Sequence, residues 1–188
     1  MTARVILGVS GASGAALGLS VAQQLAGMDV EMDLVTSPAA ERTLVEECGP
    51  KALEQLQNFA TCVHDCRDIG AEIASGSVPV AGMIVAPCSM RSLSAIANGM
   101  DDNLLTRAAG VQLKERRSLV LLAREAPLTL AHLRNMTSVT EMGGIVLPPV
   151  PAFYLKPSNL EAVVEQIASR AIDLLRLHPP VSQGWKPS

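Results

Sequence analysis

The fold class is decided by the segment Arg4-Val5-Ile6-Leu7-Gly8-Val9-Ser10-Gly11-Ala12-Ser13-Gly14, in which an apolar run leads directly into a glycine-rich turn. A helical pattern follows at about residues 14–27. A strand, a glycine turn and a helix in this order aim backbone N–H groups and the positive end of the helix dipole at a phosphate. We therefore predict an α/β fold, a Rossmann-like open parallel sheet with helices on both faces.

The rest of the chain repeats this alternation of short apolar runs and amphipathic stretches. The apolar runs predict strands at 4–9, 30–36, 83–86, 119–123 and 144–147, with a weaker edge strand within 59–66. The amphipathic stretches predict helices at about 14–27, 38–47, 89–98, 103–115, 128–141 and 158–176. The length of 188 residues fits a single domain, 1–188, with a polar C-terminal tail from about residue 178.

Composition narrows the classes of partner. A net charge of -3 gives no electrostatic reason to bind nucleic acid or an anionic membrane surface. Hydrophobic residues make up 48% of the chain, yet no apolar run reaches the roughly 18 residues of a spanning helix. We assign this high hydrophobic content to a subunit interface. The first residues lack the pattern of a signal peptide, so we expect a cytoplasmic protein. Cys62, His64 and Cys66 lack a second pair of ligands, so no metal site is expected.

The glycine turn is a poor match to a dinucleotide-binding fingerprint. Ser10 replaces the middle glycine, and the second predicted strand ends in Val35-Thr36-Ser37-Pro38 without a carboxylate for a ribose hydroxyl. These two departures disfavour NAD, while Ser13 and Ser37 offer hydroxyl groups for other phosphate or ring contacts. The alternative is a tight turn with a purely structural role.

The segment Pro87-Cys88-Ser89-Met90-Arg91-Ser92 repeats this arrangement after a later strand. Two hydroxyls and a guanidinium at the start of a helix form a second anion cradle, which makes flavin mononucleotide (FMN) a reasonable ligand. Alternatively, Ser89 and Ser92 are helix caps and Arg91 is a surface charge. Cys88 has no neighbouring histidine to activate it, so we interpret it as a buried thiol.

Five basic residues lie within 18 residues of this acidic chain: Arg107, Lys114, Arg116, Arg117 and Arg124. Arg107 and Lys114 are seven residues apart on a predicted helix and can share a face, whereas Arg116 and Arg117 point elsewhere and are expected at the surface. Arg124 ends a buried strand, where ligand groups gather in open α/β sheets. Glu125 is positioned to orient Arg124 through a charge-assisted hydrogen bond.

Phe153 and Tyr154 lie in a proline-rich loop, Pro148 to Pro157, that restricts the backbone around them. Tyr154 can bond a phosphate oxygen while Phe153 lines an apolar slot. The alternative is a loop pinned by two core aromatic residues.

Taken in order, these motifs resemble the UbiX family of flavin prenyltransferases. The resemblance spans about residues 4–176 and includes Leu113-Lys114-Glu115-Arg116-Arg117, Arg124-Glu125-Ala126-Pro127, His132-Leu133-Arg134-Asn135-Met136 and Pro149-Val150-Pro151-Ala152-Phe153-Tyr154. It implies transfer of a dimethylallyl group from dimethylallyl monophosphate to N5 and C6 of reduced FMN. It also implies a dodecamer with active sites shared between subunits, and delivery of prenylated FMN to a UbiD-type decarboxylase.

The resemblance also implies roles for individual residues. It assigns FMN contacts to Gly11, Ala12, Ser13, Ser37, Ser89, Met90, Arg91, Ser92 and Arg124. It assigns the donor to Tyr154 and Arg170, with Lys114 and Arg107 nearby, and catalytic roles to Ser13, Glu47, Lys114 and Glu125. Ile69, Glu72 and Leu155 depart from the family pattern, so the wall of the prenyl pocket is expected to differ. No magnesium motif is seen beyond the pair Asp101-Asp102, which fits a metal-independent transferase.

Two other functions compete with this one. The first is a decarboxylase. A flavin-dependent cysteine decarboxylase would share the fold and FMN, although the PxMNxxM segment and the catalytic histidine near the second strand that are typical of that class are not found. A direct aromatic-acid decarboxylase would release carbon dioxide with this chain alone. A non-catalytic FMN-carrying subunit of a decarboxylase complex would bind FMN without turnover.

Overall fold

The computed structural model describes residues 2–185, which form one six-stranded parallel sheet with helices on both faces. The strands are β1 (Ala3–Val9), β2 (Val30–Thr36), β3 (Cys62–His64), β4 (Gly82–Cys88), β5 (Ser118–Ala123) and β6 (Ile145–Val146). Their spatial order is β3-β2-β1-β4-β5-β6, and all neighbouring pairs are parallel. The predicted fold class is confirmed.

Residues 2–185 form seven α-helices, of which the first six lie between strands and α7 follows β6. They are α1 (Ala15–Ala26), α2 (Pro38–Cys48), α3 (Ala52–Asn58), α4 (Met90–Ala97), α5 (Leu104–Lys114), α6 (Leu130–Glu141) and α7 (Leu160–Asp173). Short 3-10 turns occur at Glu72–Ala74 and Phe153–Leu155. The sequence did not predict α3, and β3 is much shorter than the expected edge strand at 59–66.

The core has one layer on each face of the sheet because side chains alternate along a strand. Val5, Leu7 and Val9 pack against α1, α2, α3 and α7. Ile6 points to the opposite face, where α4, α5 and α6 pack. No helix within residues 2–185 has the length and apolar character needed to cross a membrane.

The strand order places β1 beside β4, although 72 residues lie between Val9 at the end of β1 and Gly82 at the start of β4. At this point the chain's connections run in opposite directions along the sheet. The loops that follow β1 and β4 therefore diverge, and a cleft opens at the carboxyl ends of the strands.

Candidate active site

A cavity of about 620 Å³ lies at the carboxyl ends of β1, β2 and β4. The sequence motifs predicted to bind FMN meet there: Gly11 after β1, Ser37 before α2, and Ser89, Arg91 and Ser92 around the start of α4. Ala12 and Ser13 continue the first loop, and Met90 is the first residue of α4. Five residues from three separate motifs therefore line one cavity.

A buried serine joins two of these loops. The Ser10 hydroxyl donates a hydrogen bond to the Pro87 carbonyl at 2.8 Å and accepts one from the Ser89 N–H at 2.7 Å. The Ser10 N–H also donates to the Pro87 carbonyl, at 3.2 Å. The sequence alone identifies Ser10 only as the residue that replaces the middle glycine of a dinucleotide-binding fingerprint. That replacement is the one feature of the sequence that points to this link between the two loops.

The N-terminus of α1 is occupied by a side chain from α2. Glu47 accepts hydrogen bonds from the N–H groups of Gly14 and Ala15, at 2.8 and 2.9 Å. The prediction that α1 aims these N–H groups at a phosphate is therefore wrong, since a carboxylate already neutralises that helix end. Gly14 is needed here because its φ of 108° is accessible mainly to glycine.

Glu47 is charged in this setting. Partial burial alone would raise its pKa, but hydrogen bonds from the Ser13 side chain and from the Ala15 and Gly14 N–H groups, together with the charge of Arg124, bring the pKa below its usual value. Ser13, Glu47 and Arg124, each predicted to serve the flavin site, thus lie close together, although none of them lines the 620 Å³ cavity. Sequence reasoning without a family would have placed Glu47 on an exposed helix end.

Two other helix N-termini remain open to the cavity. Ser37 caps α2 by accepting the Ala40 N–H, and Ser89 caps α4 by accepting the Ser92 N–H, both at 3.2 Å. The alternative interpretation of Ser89 as a helix cap is confirmed. The first turn of α4 carries no acidic residue. The hydroxyls, the two helix ends and the cavity volume fit a phosphate and an attached ring system such as FMN.

Gly11 allows the first loop to approach α2 closely. A Cβ atom on Gly11 would lie 2.3 Å from the Ala39 Cβ and 2.9 Å from its carbonyl carbon. No side chain fits in that space, so glycine is required for the two cavity walls to meet.

The arginines of the site have different partners. Arg91 forms an ion pair with Asp102, and Arg107 pairs with Asp101 at 2.8 Å. Both members of the acidic pair are therefore paired with guanidinium groups at the protein surface. Arg124 follows β5 at the carboxyl edge, as predicted, with its N–H donating to the Cys88 carbonyl at 3.1 Å.

Glu125 does not bond Arg124. Its carboxylate instead accepts the N–H of Ala126 at 3.0 Å. The expected charge-assisted bond is absent because the Glu125 side chain folds onto the backbone of its own turn, where a donor lies closer.

Lys114 lies away from the cleft. The α5 helix starts beside the cavity, where Leu105 lines it, and runs about 16 Å over its 11 residues. Lys114, at its far end, pairs with Glu115 and lies next to Gly76. Arg107 shares this face, as predicted, and donates to the Ala74 carbonyl at 3.3 Å. One chain therefore does not bring Lys114 to the predicted FMN residues.

Arg117 is not a free surface residue. Its guanidinium donates to the carbonyl groups of Val78 and Gly76 at 2.9 and 2.6 Å. The prediction of a simple surface charge at this position is wrong, because the side chain folds over the segment that precedes β4 and satisfies its carbonyls. Arg116 is exposed, as predicted.

Tyr154 and Arg170 line a second cavity, of about 280 Å³, between the loop after β6, α7 and the C-terminal segment. Its other walls are mixed: Leu147, Val150 and Ile167 form an apolar part, and Gln166 and Gln183 belong to a polar part. Phe153 is 76% exposed and Tyr154 47% exposed, so the alternative of two core aromatics is wrong. The two cavities have no lining residue in common among residues 2–185.

The departures from the family pattern lie outside this second cavity. Ile69 is exposed, and Glu72 turns to Arg4, with 3.1 Å between the carboxylate and the guanidinium. Leu155 lines an adjoining cavity with Pro157 rather than the one that holds Arg170. The effect of these residues on the prenyl pocket stays a prediction.

The cysteines have separate environments. Cys88 is fully buried, and burial raises the pKa of its thiol to about 12, which confirms its interpretation as an unreactive thiol. Cys62 and His64 lie near the buried Asp33, but Cys66 does not join them. Both Asp33 oxygens already accept hydrogen bonds from Arg4, whose cation supplies the positive charge that a metal ion would bring.

Comparison with known proteins places the chain in a family of flavoproteins. The Flavoprotein family profile matches residues 1–171. The flavin prenyltransferase UbiX of Thauera aromatica is 49% identical over 97% of this chain and 93% of its own length. The chain belongs to the UbiX family of flavin prenyltransferases.

Solved structures of UbiX proteins have the same fold. AnUbiX, crystallised with FMN and dimethylallyl pyrophosphate, is 41% identical, with a TM-score of 0.95 and full coverage of both chains. A dodecameric FMN-dependent UbiX-like decarboxylase from Escherichia coli O157:H7 is 40% identical, with a TM-score of 0.92, covering 98% of this chain and all of the other.

Proposed function

We propose that this chain is a flavin prenyltransferase, which joins a dimethylallyl group to reduced FMN. The observation that carries the proposal is the cavity at the β1/β4 switch point, which gathers residues of three separate motifs: Gly11, Ser37, and Ser89 with Arg91 and Ser92. A relative of the same fold binds FMN together with dimethylallyl pyrophosphate, and family relatives are named flavin prenyltransferases.

In this proposal the FMN phosphate binds at the N-termini of α2 and α4. Ser37 and Ser89 already turn their hydroxyls toward the N–H groups there, and those helix ends lie in the cavity wall. The flavin ring then extends toward Ser13 and Arg124. Glu47, which closes the N-terminus of α1, lies beside that end of the site as an ionised carboxylate.

The donor binds with its phosphate at Arg170 and Tyr154 and its alkyl group against the apolar wall. We propose dimethylallyl monophosphate as this donor. Because the phosphate leaves with the electron pair of its carbon–oxygen bond, cationic side chains that stabilise the departing anion replace the metal that a diphosphate requires.

A single chain holds only part of this site. Arg170 is the one cationic side chain among the described residues that line the 280 Å³ cavity, and Lys114 lies at the opposite end of α5 from the cleft. We propose that subunits of a homo-oligomer, by similarity a dodecamer, complete each other's sites, with Lys114 and Arg107 supplied by a neighbouring subunit. The product would pass to a UbiD-type decarboxylase.

An anaerobic assay tests this proposal. The purified protein is incubated with FMN, dithionite and dimethylallyl monophosphate in excess chelator, and the flavin is analysed by mass spectrometry and absorbance. Prenyl transfer predicts a flavin heavier by one dimethylallyl unit. A decarboxylase would instead release carbon dioxide from an added acid, and a carrier would bind FMN and leave its mass unchanged.

A further inference from the structure

The C-terminal segment folds back over the cavity that holds Tyr154 and Arg170. Ser182, Gln183 and Gly184 form one wall of that cavity, opposite the loop after β6. Residues that close a cavity in this way control how a small ligand enters and how much water stays with it.

The segment is fixed at its base by Asp173, the last residue of α7. The Asp173 carboxylate accepts the Val181 N–H at 2.8 Å and the Ser182 N–H at 3.1 Å, one on each oxygen. The residue is only 8% exposed. Burial alone would raise its pKa, but the bonds from Ser182 and Val181 and the charge of Arg170 lower it below the usual value. The acceptor is therefore ionised at neutral pH.

Two weaker contacts hold the C-terminal segment beyond Asp173. The Gln166 side-chain amide donates to the Gln183 carbonyl at 3.3 Å. The Trp185 ring meets the Tyr154 ring edge-on, with 5.3 Å between the centroids and 88° between the planes. The segment thus runs from Asp173 to Tyr154 directly across the cavity, and the strongest hydrogen bonds are at Asp173.

We propose that Asp173 is a positioning residue for the prenyl donor: it holds residues 181–185 as the roof of the cavity and does not touch the donor itself. This inference rests on the proposed function for the identity of the donor. Asp173 lies one helical turn from Arg170, on the same side of α7. A purely electrostatic role would therefore weaken the donor site, because the carboxylate opposes the attraction between Arg170 and a phosphate.

The two roles predict opposite results for Asp173→Asn, which keeps the size of the side chain but removes the charge and one acceptor oxygen. If Asp173 holds the roof, the KM for dimethylallyl monophosphate rises at least about tenfold, with the FMN Kd and kcat nearly unchanged. If its charge alone matters, the KM falls. Asp173→Glu, which keeps both acceptor oxygens, restores part of the donor affinity, and Glu161→Gln is the matched control for charge removal on α7.

A second measurement does not depend on turnover. Trp185 is the only tryptophan in the chain, so its fluorescence reports on the segment directly. Trp185 is already 66% exposed in the intact segment, so the expected change is an increase in acrylamide quenching above the wild-type value rather than its first appearance. In the FMN-loaded oligomer, Asp173→Asn should show this increase, whereas Glu161→Gln should quench like the wild type. If the wild-type protein transfers no prenyl group, the proposed function fails, and this quenching still decides whether Asp173 holds the segment.

Val181→Pro provides an independent route if Asp173→Asn does not assemble. It removes the bonded N–H from the segment while leaving α7 and the carboxylate intact, and it should raise both the donor KM and the quenching. Unchanged quenching in a folded oligomer, or increased quenching with an unchanged or lower donor KM, would overturn the proposal.

Discussion

Ser10 and Ser89, which are 79 residues apart in the chain, are joined by a hydrogen bond of 2.7 Å from the Ser89 N–H to the Ser10 hydroxyl. The same hydroxyl donates to the Pro87 carbonyl. Ser10 is 1% exposed, so water does not replace these bonds. The loop after β1 is thereby fixed to the loop after β4, and the two walls of the proposed FMN site keep a constant spacing.

Ser10→Ala should reduce both stability and FMN affinity. The substitution leaves the half-buried Ser89 N–H without its acceptor, at a cost of about 1–3 kcal/mol. Urea unfolding measures the stability, and titration with FMN measures the affinity. Thr43→Ala, which removes an exposed hydroxyl bonded within α2, is the control and should change neither much. Unaltered FMN affinity in Ser10→Ala would show that the link does not shape the site.

Glu47→Gln should slow product formation while FMN still binds. The change removes the charge from the N-terminus of α1, which costs about 0.3–1 kcal/mol of stability, and removes a possible proton acceptor. Since the pKa of Glu47 is lowered, it stays ionised at every pH above its usual value of about 4.3. Its titration should therefore cause no loss of rate between pH 5 and 8.

The matched control is Glu46→Gln, which removes an exposed carboxylate paired with Arg42. Stopped-flow absorbance and the pH dependence of turnover are the measurements. A wild-type rate in Glu47→Gln would eliminate this residue as a base and leave the departing phosphate as the proton acceptor.

Arg4→Met should strongly destabilise the fold. Arg4 bonds both oxygens of Asp33, which is 1% exposed and also contacts His64. Removing the guanidinium leaves a buried carboxylate poorly compensated, at a cost of about 3–5 kcal/mol. The double variant Arg4→Met/Asp33→Asn should recover part of this loss. Strictly additive effects in urea unfolding would contradict a direct coupling.

The same pair predicts a pH dependence. Burial alone would raise the pKa of Asp33, but the hydrogen bonds and charges of Arg4 and His64 outweigh it and the pKa is lowered. The stability from this group is fully present above the unfolded pKa of about 3.9 and is lost as pH falls through the lower folded value. Wild type should therefore lose more stability below pH 4 than Asp33→Asn does.

Tyr154→Phe should weaken donor use and leave FMN binding unchanged. The hydroxyl is proposed to bond the donor phosphate, and losing a hydrogen bond to a charged group costs about 1–3 kcal/mol. The ring and its contact with Trp185 are retained, so the segment stays in place. A large loss of FMN affinity with an unchanged donor KM would reverse the assignment.

Mixed oligomers test whether sites are shared between subunits. If Lys114 serves the donor site of a neighbour, the inactive variants Lys114→Ala and Arg170→Ala should regain activity when unfolded and refolded together, to about one quarter of wild type for random mixing. Arg170→Ala mixed with Tyr154→Ala is the control, because these residues share a cavity within one chain. No recovery in the first mixture would show that Lys114 and Arg170 do not come from different subunits of one site, and would contradict the proposed sharing.

The sequence alone determined the elements whose signals are local. Alternating apolar runs predicted five strands close to their observed positions. Asn159, a residue type favoured at helix N-caps, caps α7 by accepting the Ala162 N–H. Helix α3 was missed because its seven residues are too few to show a clear period. Cap preference and periodicity act over a few neighbouring residues, which is why they can be read directly from the chain.

Only the tertiary structure decided which distant groups meet. Glu47 reaches the N-terminus of α1 from 33 residues away, and Asp33 is buried against Arg4 from 29 residues away. These contacts depend on the strand order, which sets β1 between β2 and β4, and no local pattern encodes that order. The sequence therefore identified the loops that could hold a phosphate, whereas the fold decided that α1 is closed by a carboxylate and that α2 and α4 remain open.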